Sequence, residues 1–219
     1  MANLFRTLTA GELECRIGLA KNQGVSLLLY KNSRCDMSLL DDTFGPFGWQ
    51  REHRELKGVI YCGVSVKDVE TGQWITKWDA GVESNTEPQK GEASDSFKRA
   101  CVNWGIGREL YTAPFIWVNL SEQEWNGGKP RVNFKVSEIS YSFDRKIRSV
   151  TIVDGAKNVR YQLQAKSLSP AEYKRMVEAA ARDEKKEEEL RSWWCDTCLP
   201  TKEMLRTFQE EVAEARGEK

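Results

Sequence analysis

Three strand-like runs follow one another between residues 49 and 82, and they constrain the fold more than any other part of the chain. Trp49–Leu56 is separated from Val59–Val69 by two residues, and the hairpin turn Glu70-Thr71-Gly72-Gln73 leads into Trp74–Val82. Strands connected this closely pair antiparallel. The central run is apolar on both faces, as is typical of a covered sheet. We therefore predict a three-stranded antiparallel meander.

A helix is predicted directly after this meander. The loop Glu83–Gly91 is polar, and between Glu92 and Trp104 the apolar residues recur at helical spacing, until Gly105 and Gly107 end the pattern. The apolar positions are Ala93, Phe97, Ala100, Cys101 and Trp104. Together with the meander this gives a β-β-β-α unit, so the fold class we predict is α+β.

The segment before the meander is predicted to hold two short helices and a strand. Leu8–Lys21 is assigned to a helix capped by Thr9 ahead of Glu12, and Val25–Tyr30 to a strand. Met37–Phe44 is assigned to a second helix that ends at the turn Gly45-Pro46-Phe47-Gly48. Tyr111–Val118 is expected to be an extended exit from the core.

The second half of the chain is predicted to add a small antiparallel sheet and two helices. From Lys129 the hydrophobic period returns to two, which indicates three further strands that end at Gln164. Ser169 and Pro170 begin a helix that is expected to reach Trp194, and Thr201–Ala215 forms the last helix. The predicted domains are an α+β core at 1–120, a basic β extension at 121–166 and a charged helical region at 167–219.

Charge is distributed unevenly along the chain. The 33 basic and 33 acidic residues cancel, although nucleic-acid binders are usually basic. Between Lys129 and Lys166, however, there are nine basic residues and only three acidic ones. A neutral total therefore allows a basic surface and an acidic tail. No apolar stretch is long enough for a membrane span, and the first twenty residues lack the pattern of a secretory signal, so we expect a cytoplasmic protein without a membrane partner.

Six cysteines divide into four isolated residues and one close pair. The isolated ones, Cys15, Cys35, Cys62 and Cys101, are expected to be reduced and buried. Cys195 and Cys198 form a CxxC, which is half of a tetrahedral zinc site and has no second half in the sequence. A structural pair is favoured over a metal or redox site, with a site completed by another subunit as the alternative. We predict neither a metal nor a cofactor.

Aromatic residues are assigned mainly to the core. Trp49, Trp74, Trp78, Trp104 and Trp117 lie in apolar patterns and are expected to be buried, whereas Trp125 lies in a polar loop. Trp193 and Trp194, at the end of a charged helix, are expected to dock that helix on the core or on a neighbour.

The pair Lys98-Arg99 is the candidate binding feature of the predicted helix. With Phe97, Cys101 and Trp104 packed inward, Lys98 and Arg99 lie about 100° and 200° from Phe97 around the helix. Asp95, four residues before Arg99, is placed to orient it. The spacing alone favours a solvated face. The alternative is a groove edge that contacts phosphates.

Four segments in order resemble the Rad52/Rad22 family of single-strand annealing proteins. They are Leu39–Trp49 with its FGPFGW ending, the strand Tyr61–Val66, the sheet exit Asp79–Ser84, and Ser94–Ala100 followed by Trp104–Tyr111. The last segment, GIGRELY, is similar to the phage and bacterial branch, including DdrA-like proteins. The resemblance covers about ninety residues.

This resemblance implies a homo-oligomeric ring that holds single-stranded DNA in a basic groove. By position, Lys98 and Arg99 correspond to the family's DNA-contacting pair, Lys90 to a basic loop residue and Arg34 to an arginine displaced by one position; Arg108 is also a DNA-binding candidate. The loop before the helix is shorter than in eukaryotic relatives, and neither the basic sheet nor the CxxC has a eukaryotic counterpart. A phage exonuclease or a single-strand-binding protein is the expected protein partner.

An enzyme and a binding module that does not anneal are the two alternatives to an annealing protein. An enzyme is not expected, because the carboxylates are scattered, no P-loop or nucleophile elbow occurs, and His53 is the only histidine. A module that binds single-stranded DNA for end protection or recruitment, without annealing, is the closer alternative.

Overall fold

The computed structural model of the chain describes residues 4–21, 23–82, 88–126 and 129–218. In these residues five α-helices accompany three antiparallel sheets of three strands each, which confirms the α+β class. The chain divides into two compact units. The first comprises Met1–Arg16 and Leu29–Tyr111, and the second comprises Ile17–Leu28 and Thr112–Lys219.

The first unit contains the predicted meander and its helix. Strands β3 (Trp49–Leu56), β4 (Val59–Lys67) and β5 (Trp74–Ala80) pair antiparallel in the order β3-β4-β5. Helix α2 begins earlier than predicted and spans Pro88–Trp104. Helix α1 (Ser33–Phe44) also begins earlier, because the side chain of Asn32 accepts hydrogen bonds from the first turn and caps it.

Helix α2 covers one face of this sheet. Phe97, Ala100 and Cys101 are fully buried, as are Cys62 and Val64 of β4. The other face is more open. The prediction that Trp74 and Trp78 are buried is therefore wrong. Trp78 lies over Gly63, where any β-carbon would come within 2.6 Å of its indole ring. Trp78 is nevertheless 36% exposed and Trp74 is 43% exposed.

Gly81 permits the close approach of β5 to α2, and we predict that Gly81→Ala is destabilising. A β-carbon at this position would lie 2.1 Å from the carbonyl oxygen of Glu92. Since a main-chain atom of a packed helix cannot move away locally, we expect a loss of about 1–3 kcal/mol in the free energy of unfolding. Urea denaturation measures it. The control is Gly11→Ala, which has nothing within 4 Å; equal stability of the two variants would contradict this explanation.

The predicted helix at Leu8–Lys21 is wrong. A single 3₁₀ turn, Ala10–Glu12, is followed by strand β1 (Leu13–Lys21). The Thr9–Glu12 capping box does form, but it closes only that turn. Beyond it the apolar side chains alternate with polar or small ones, which is the period of a strand. Strand β2 (Gly24–Lys31) follows, close to the bounds predicted for it.

Strands β1 and β2 are neighbours in one sheet, and the second unit begins with their connected ends, Ile17–Leu28. There β2 pairs antiparallel with β6 (Ile116–Asn119), so that Val25 lies opposite Val118. A two-stranded ladder of β7 (Trp125–Asn126) and β8 (Lys129–Pro130) follows. The predicted second sheet is confirmed as β9 (Phe134–Tyr141), β10 (Ile147–Asp154) and β11 (Val159–Gln164), with β10 in the centre.

Three helices complete the second unit: α3 (Pro170–Arg182), α4 (Glu184–Cys198) and α5 (Lys202–Arg216). The single helix predicted from Ser169 to Trp194 is therefore wrong, because the chain breaks at Asp183. This residue is extended and its carboxylate accepts the N–H of Lys185, so it caps the start of α4. Ser169 begins α3 as predicted: its side chain accepts the N–H of Glu172, and Glu172 completes a capping box.

Candidate nucleic-acid interface

Lys98 is held partly inside the surface of helix α2. Its side chain is 19% exposed, and Nζ lies 3.8 Å from Oδ1 of Asp95, one turn earlier. The other oxygen of Asp95 accepts the N–H of Val82 at 3.2 Å, which ties the carboxylate to the chain after β5. Asp95 therefore orients Lys98 rather than Arg99. The Lys98 side chain is therefore largely covered, and its ammonium lies beside the Asp95 carboxylate.

Arg99 is oriented by a different carboxylate and is open to solvent. Nε lies 3.3 Å from Oδ1 of Asp79 on β5, and the Arg99 side chain is 47% exposed. Asn103 donates to Oδ2 of the same carboxylate at 3.3 Å, so Asp79 is anchored by α2. Within the described residues the two terminal nitrogens of Arg99 make no further hydrogen bond. Open guanidinium donors of this kind are chemically suited to bind a phosphate.

The remaining predicted site residues have different environments. Arg34 is exposed in the first turn of α1, where its N–H donates to Asn32 Oδ1 at 3.0 Å. Arg108 is exposed, but its guanidinium donates to the carbonyls of Val102 and Asn103, both at 2.8 Å, and so caps the end of α2. The side chain of Lys90 lies outside the described residues.

Arg16 and Tyr30 belong to the same unit and were missed by sequence reasoning. The guanidinium of Arg16 lies 5.1 Å from the centre of the Tyr30 ring, and both residues are exposed. Arg16 also donates to Glu14 at 2.9 Å. This hydrogen bond lowers the pKa of Glu14, and the positive charge of Lys98 adds to the effect. Arg16 and Lys98 therefore both lower the pKa of Glu14, Arg16 through a direct hydrogen bond.

A buried ion pair lies next to the main chain of Lys98. Lys31, at the end of β2, contacts the carboxylate of Asp36 in α1, and the two side chains are 6% and 0% exposed. Lys31 Nζ also lies 3.4 Å from the main-chain oxygen of Lys98. Burial raises the pKa of Asp36 to about 6, against the attraction of Lys31. The pair links α1 to the part of α2 that carries Lys98 and Arg99.

The basic β extension is partly neutralised within its own unit. Arg160 contacts Glu124 at 2.5 Å and Asp154 at 3.3 Å. Its hydrogen bond lowers the pKa of Glu124 to about 2. Lys146 pairs with Asp144 at 2.9 Å. Arg160 and Lys146 therefore have carboxylate partners within their own unit, while Lys129, Arg131 and Lys135 are exposed.

The cysteines form no metal site in the part of the chain that is described. Cys35, Cys62 and Cys101 are buried, Cys15 is half-buried, and burial raises the pKa of each thiol. Cys195 and Cys198 lie at the end of α4, and no group of three metal-ligating side chains occurs among the described residues. Among the same residues no helix is both long enough and apolar enough to span a membrane.

A sequence profile of the Rad52/22 family of double-strand break repair proteins matches residues 2–127. This match extends over more than half of the chain. The chain belongs to the Rad52/22 family. Comparison with individually curated proteins gives no match. The Rad52/22 match contains every predicted site residue as well as Arg16 and Tyr30, and it ends before the sheet β9-β10-β11 and the three C-terminal helices.

Proposed function

We propose that this Rad52/22 family protein binds single-stranded DNA without sequence preference and anneals complementary strands in phage or bacterial recombination and repair. The observation that carries the proposal is the arrangement of Lys98 and Arg99 on α2. Each is held by its own carboxylate, Asp95 or Asp79, and Arg99 keeps donors open to solvent. Family membership supplies the repair context.

Phosphate contacts suit annealing because they leave the bases available. A strand held through its base edges is unable to pair, whereas lysine and arginine attract any strand through its backbone. The exposed Arg16–Tyr30 pair adds a cation and an aromatic face to the same unit, a combination typical of single-strand binding. Arg34 is a further exposed cation for this interface. Arg108 and Lys90 remain candidates, Arg108 with a guanidinium that also caps α2.

Assembly explains how a neutral chain binds a polyanion. We propose a cytoplasmic homo-oligomeric ring of the phage or bacterial, DdrA-like branch, in which each subunit contributes a few cations. Repetition then multiplies a weak contact into strong binding. Catalysis is not part of the proposal, and a phage exonuclease or a single-strand-binding protein remains the proposed type of protein partner.

The test is annealing of complementary oligonucleotides by the wild type and by Lys98→Ala/Arg99→Ala at several salt concentrations. We expect acceleration by the wild type and its loss in the variant. The logarithmic dependence of affinity on salt should become shallower by about 0.7 for each lost phosphate contact per subunit. The matched control is Lys185→Ala/Lys186→Ala, which removes two adjacent lysines of α4, outside the family match.

The possible outcomes separate the two candidate functions. Binding without acceleration favours end protection or recruitment, the alternative proposal. No binding by the wild type at low salt overturns both. If the α4 control loses as much affinity as Lys98→Ala/Arg99→Ala, overall charge rather than the α2 pair determines binding.

A further inference from the structure

The three C-terminal helices form their own core, and one tryptophan of α4, Trp193, lies outside it. Trp194 is 2% exposed and packs against Tyr173 and Phe208, with ring centres 5.8 and 5.6 Å away. The neighbouring Trp193 is not part of this core and is 45% exposed. The fold of the helices therefore does not explain why a large apolar side chain occupies position 193.

The environment of Trp193 is a groove on the outward side of α4. Leu190, Trp194 and Cys198 point into the core, and Trp193 lies about 100° away from Trp194 around the helix. The outward residues recur at helical spacing and line a shallow groove of about 500 Å³. They are Lys185, Glu188, Glu189, Ser192, Trp193 and Asp196.

The groove carries an excess of negative charge. Three carboxylates and one ammonium line it. Glu189 pairs with Lys186 at 3.1 Å, but both side chains are about half exposed. Asp196 is 74% exposed and lies 4.0 Å from Lys146. Exposed pairs of this kind are weak and exchange partners easily. Within the described residues Glu188 makes no ion pair.

We infer that this groove binds a positively charged segment of another protein chain. An arginine or lysine of the segment stacks on the indole of Trp193, and Glu188, Glu189 and Asp196 hold its charge. Arginine favours such a site, because its planar group stacks on tryptophan while it donates to carboxylates. Exposed tryptophans are frequent energetic centres of interfaces. The net negative lining disfavours single-stranded DNA, so we expect the groove and the α2 interface to bind different partners.

The experiment uses the full chain and a fluorescein-labelled peptide of alternating arginine and glycine, measured by fluorescence polarisation at low salt. The wild type should bind it, and Trp193→Ala should weaken binding about tenfold. Glu188→Gln/Glu189→Gln/Asp196→Asn should weaken it further. A peptide with citrulline in place of arginine has the same shape without the charge and should not bind. The matched control is Glu203→Gln/Glu210→Gln/Glu214→Gln, which removes three exposed carboxylates of α5.

Several results would overturn the inference: no binding by the wild type, binding that Trp193→Ala leaves unchanged, or equal loss in the α5 control. A smaller oligomer for Trp193→Ala in sedimentation would assign the groove to contact between copies instead. Annealing is measured on the same variants. Because it does not depend on Trp193, we expect it to be unchanged, so failure here is distinguishable from failure of the annealing proposal.

Discussion

Replacing Lys31 with alanine is expected to lower the free energy of unfolding by about 3–5 kcal/mol, because the substitution leaves the Asp36 carboxylate buried without its counter-charge. The effect should extend to function. Lys31 also contacts the main chain of Lys98, so its loss removes a connection between α1 and the part of α2 that carries Lys98 and Arg99. Urea denaturation measures the loss. The control is Lys67→Ala, an exposed lysine of β4, which should change stability by less than about 0.5 kcal/mol.

The double substitution Lys31→Met/Asp36→Leu separates the cost of leaving one buried charge unpaired from the net contribution of the ion pair to stability. Buried ion pairs are often replaced by apolar residues without loss of stability, because their attraction barely exceeds the cost of desolvation. That balance applies here, since burial raises the pKa of Asp36 to about 6 even beside Lys31. We therefore expect the double variant to be at least as stable as the wild type. A loss as large as that of Lys31→Ala would contradict this account.

The pH dependence has a defined sign. A folded pKa above the unfolded one means that the native state binds the proton more tightly, so stability falls as the pH rises between the two values. For Asp36 that window lies between about pH 4 and pH 6. The wild type should therefore lose stability relative to the double variant across this window.

Elements with strong local signals could be predicted from the sequence. The meander β3-β4-β5, helix α2 and the second sheet all agree with the structure, because short turns and unbroken periodicity determine them. Two segments failed for local reasons. At Leu13–Lys21 the apolar residues Leu13 and Ile17 fit both the helical and the strand period, and the tertiary pairing with β2 selects the strand. At Asp183 a cap was hidden within a run of charged residues that are good helix formers.

The sequence predicted candidate site residues but not the contacts that those residues make. Lys98 and Arg99 follow from the family pattern, whereas their partners depend on how α2 packs on the sheet. Sequence spacing paired Asp95 with Arg99, and the structure instead gives Arg99 to Asp79, which lies twenty residues away on β5. Arg16 and Tyr30 were missed because the error at β1 placed Arg16 on a helix.

Trp194→Ala is expected to destabilise the helical region by about 3–5 kcal/mol, whereas Trp193→Ala should change its stability by less than about 0.5 kcal/mol. The two residues are adjacent and chemically identical, so composition and local propensity are matched. They differ in burial, because Trp194 contacts Tyr173 and Phe208 and its removal leaves a cavity among α3, α4 and α5. Far-UV circular dichroism during urea denaturation measures both variants without relying on tryptophan fluorescence.

The pair of variants also tests whether the helical core is separate from DNA binding. Residues 2–127 contain the whole candidate interface, and the core of α3, α4 and α5 lies beyond them. At temperatures where Trp194→Ala remains folded, its affinity for single-stranded DNA should equal that of the wild type.

If Trp193→Ala is as destabilising as Trp194→Ala, its indole stabilises the bundle and is not available to a partner. If only Trp194→Ala is destabilising, the fold does not require the indole of Trp193, and the peptide-binding experiment then decides whether that indole binds a partner.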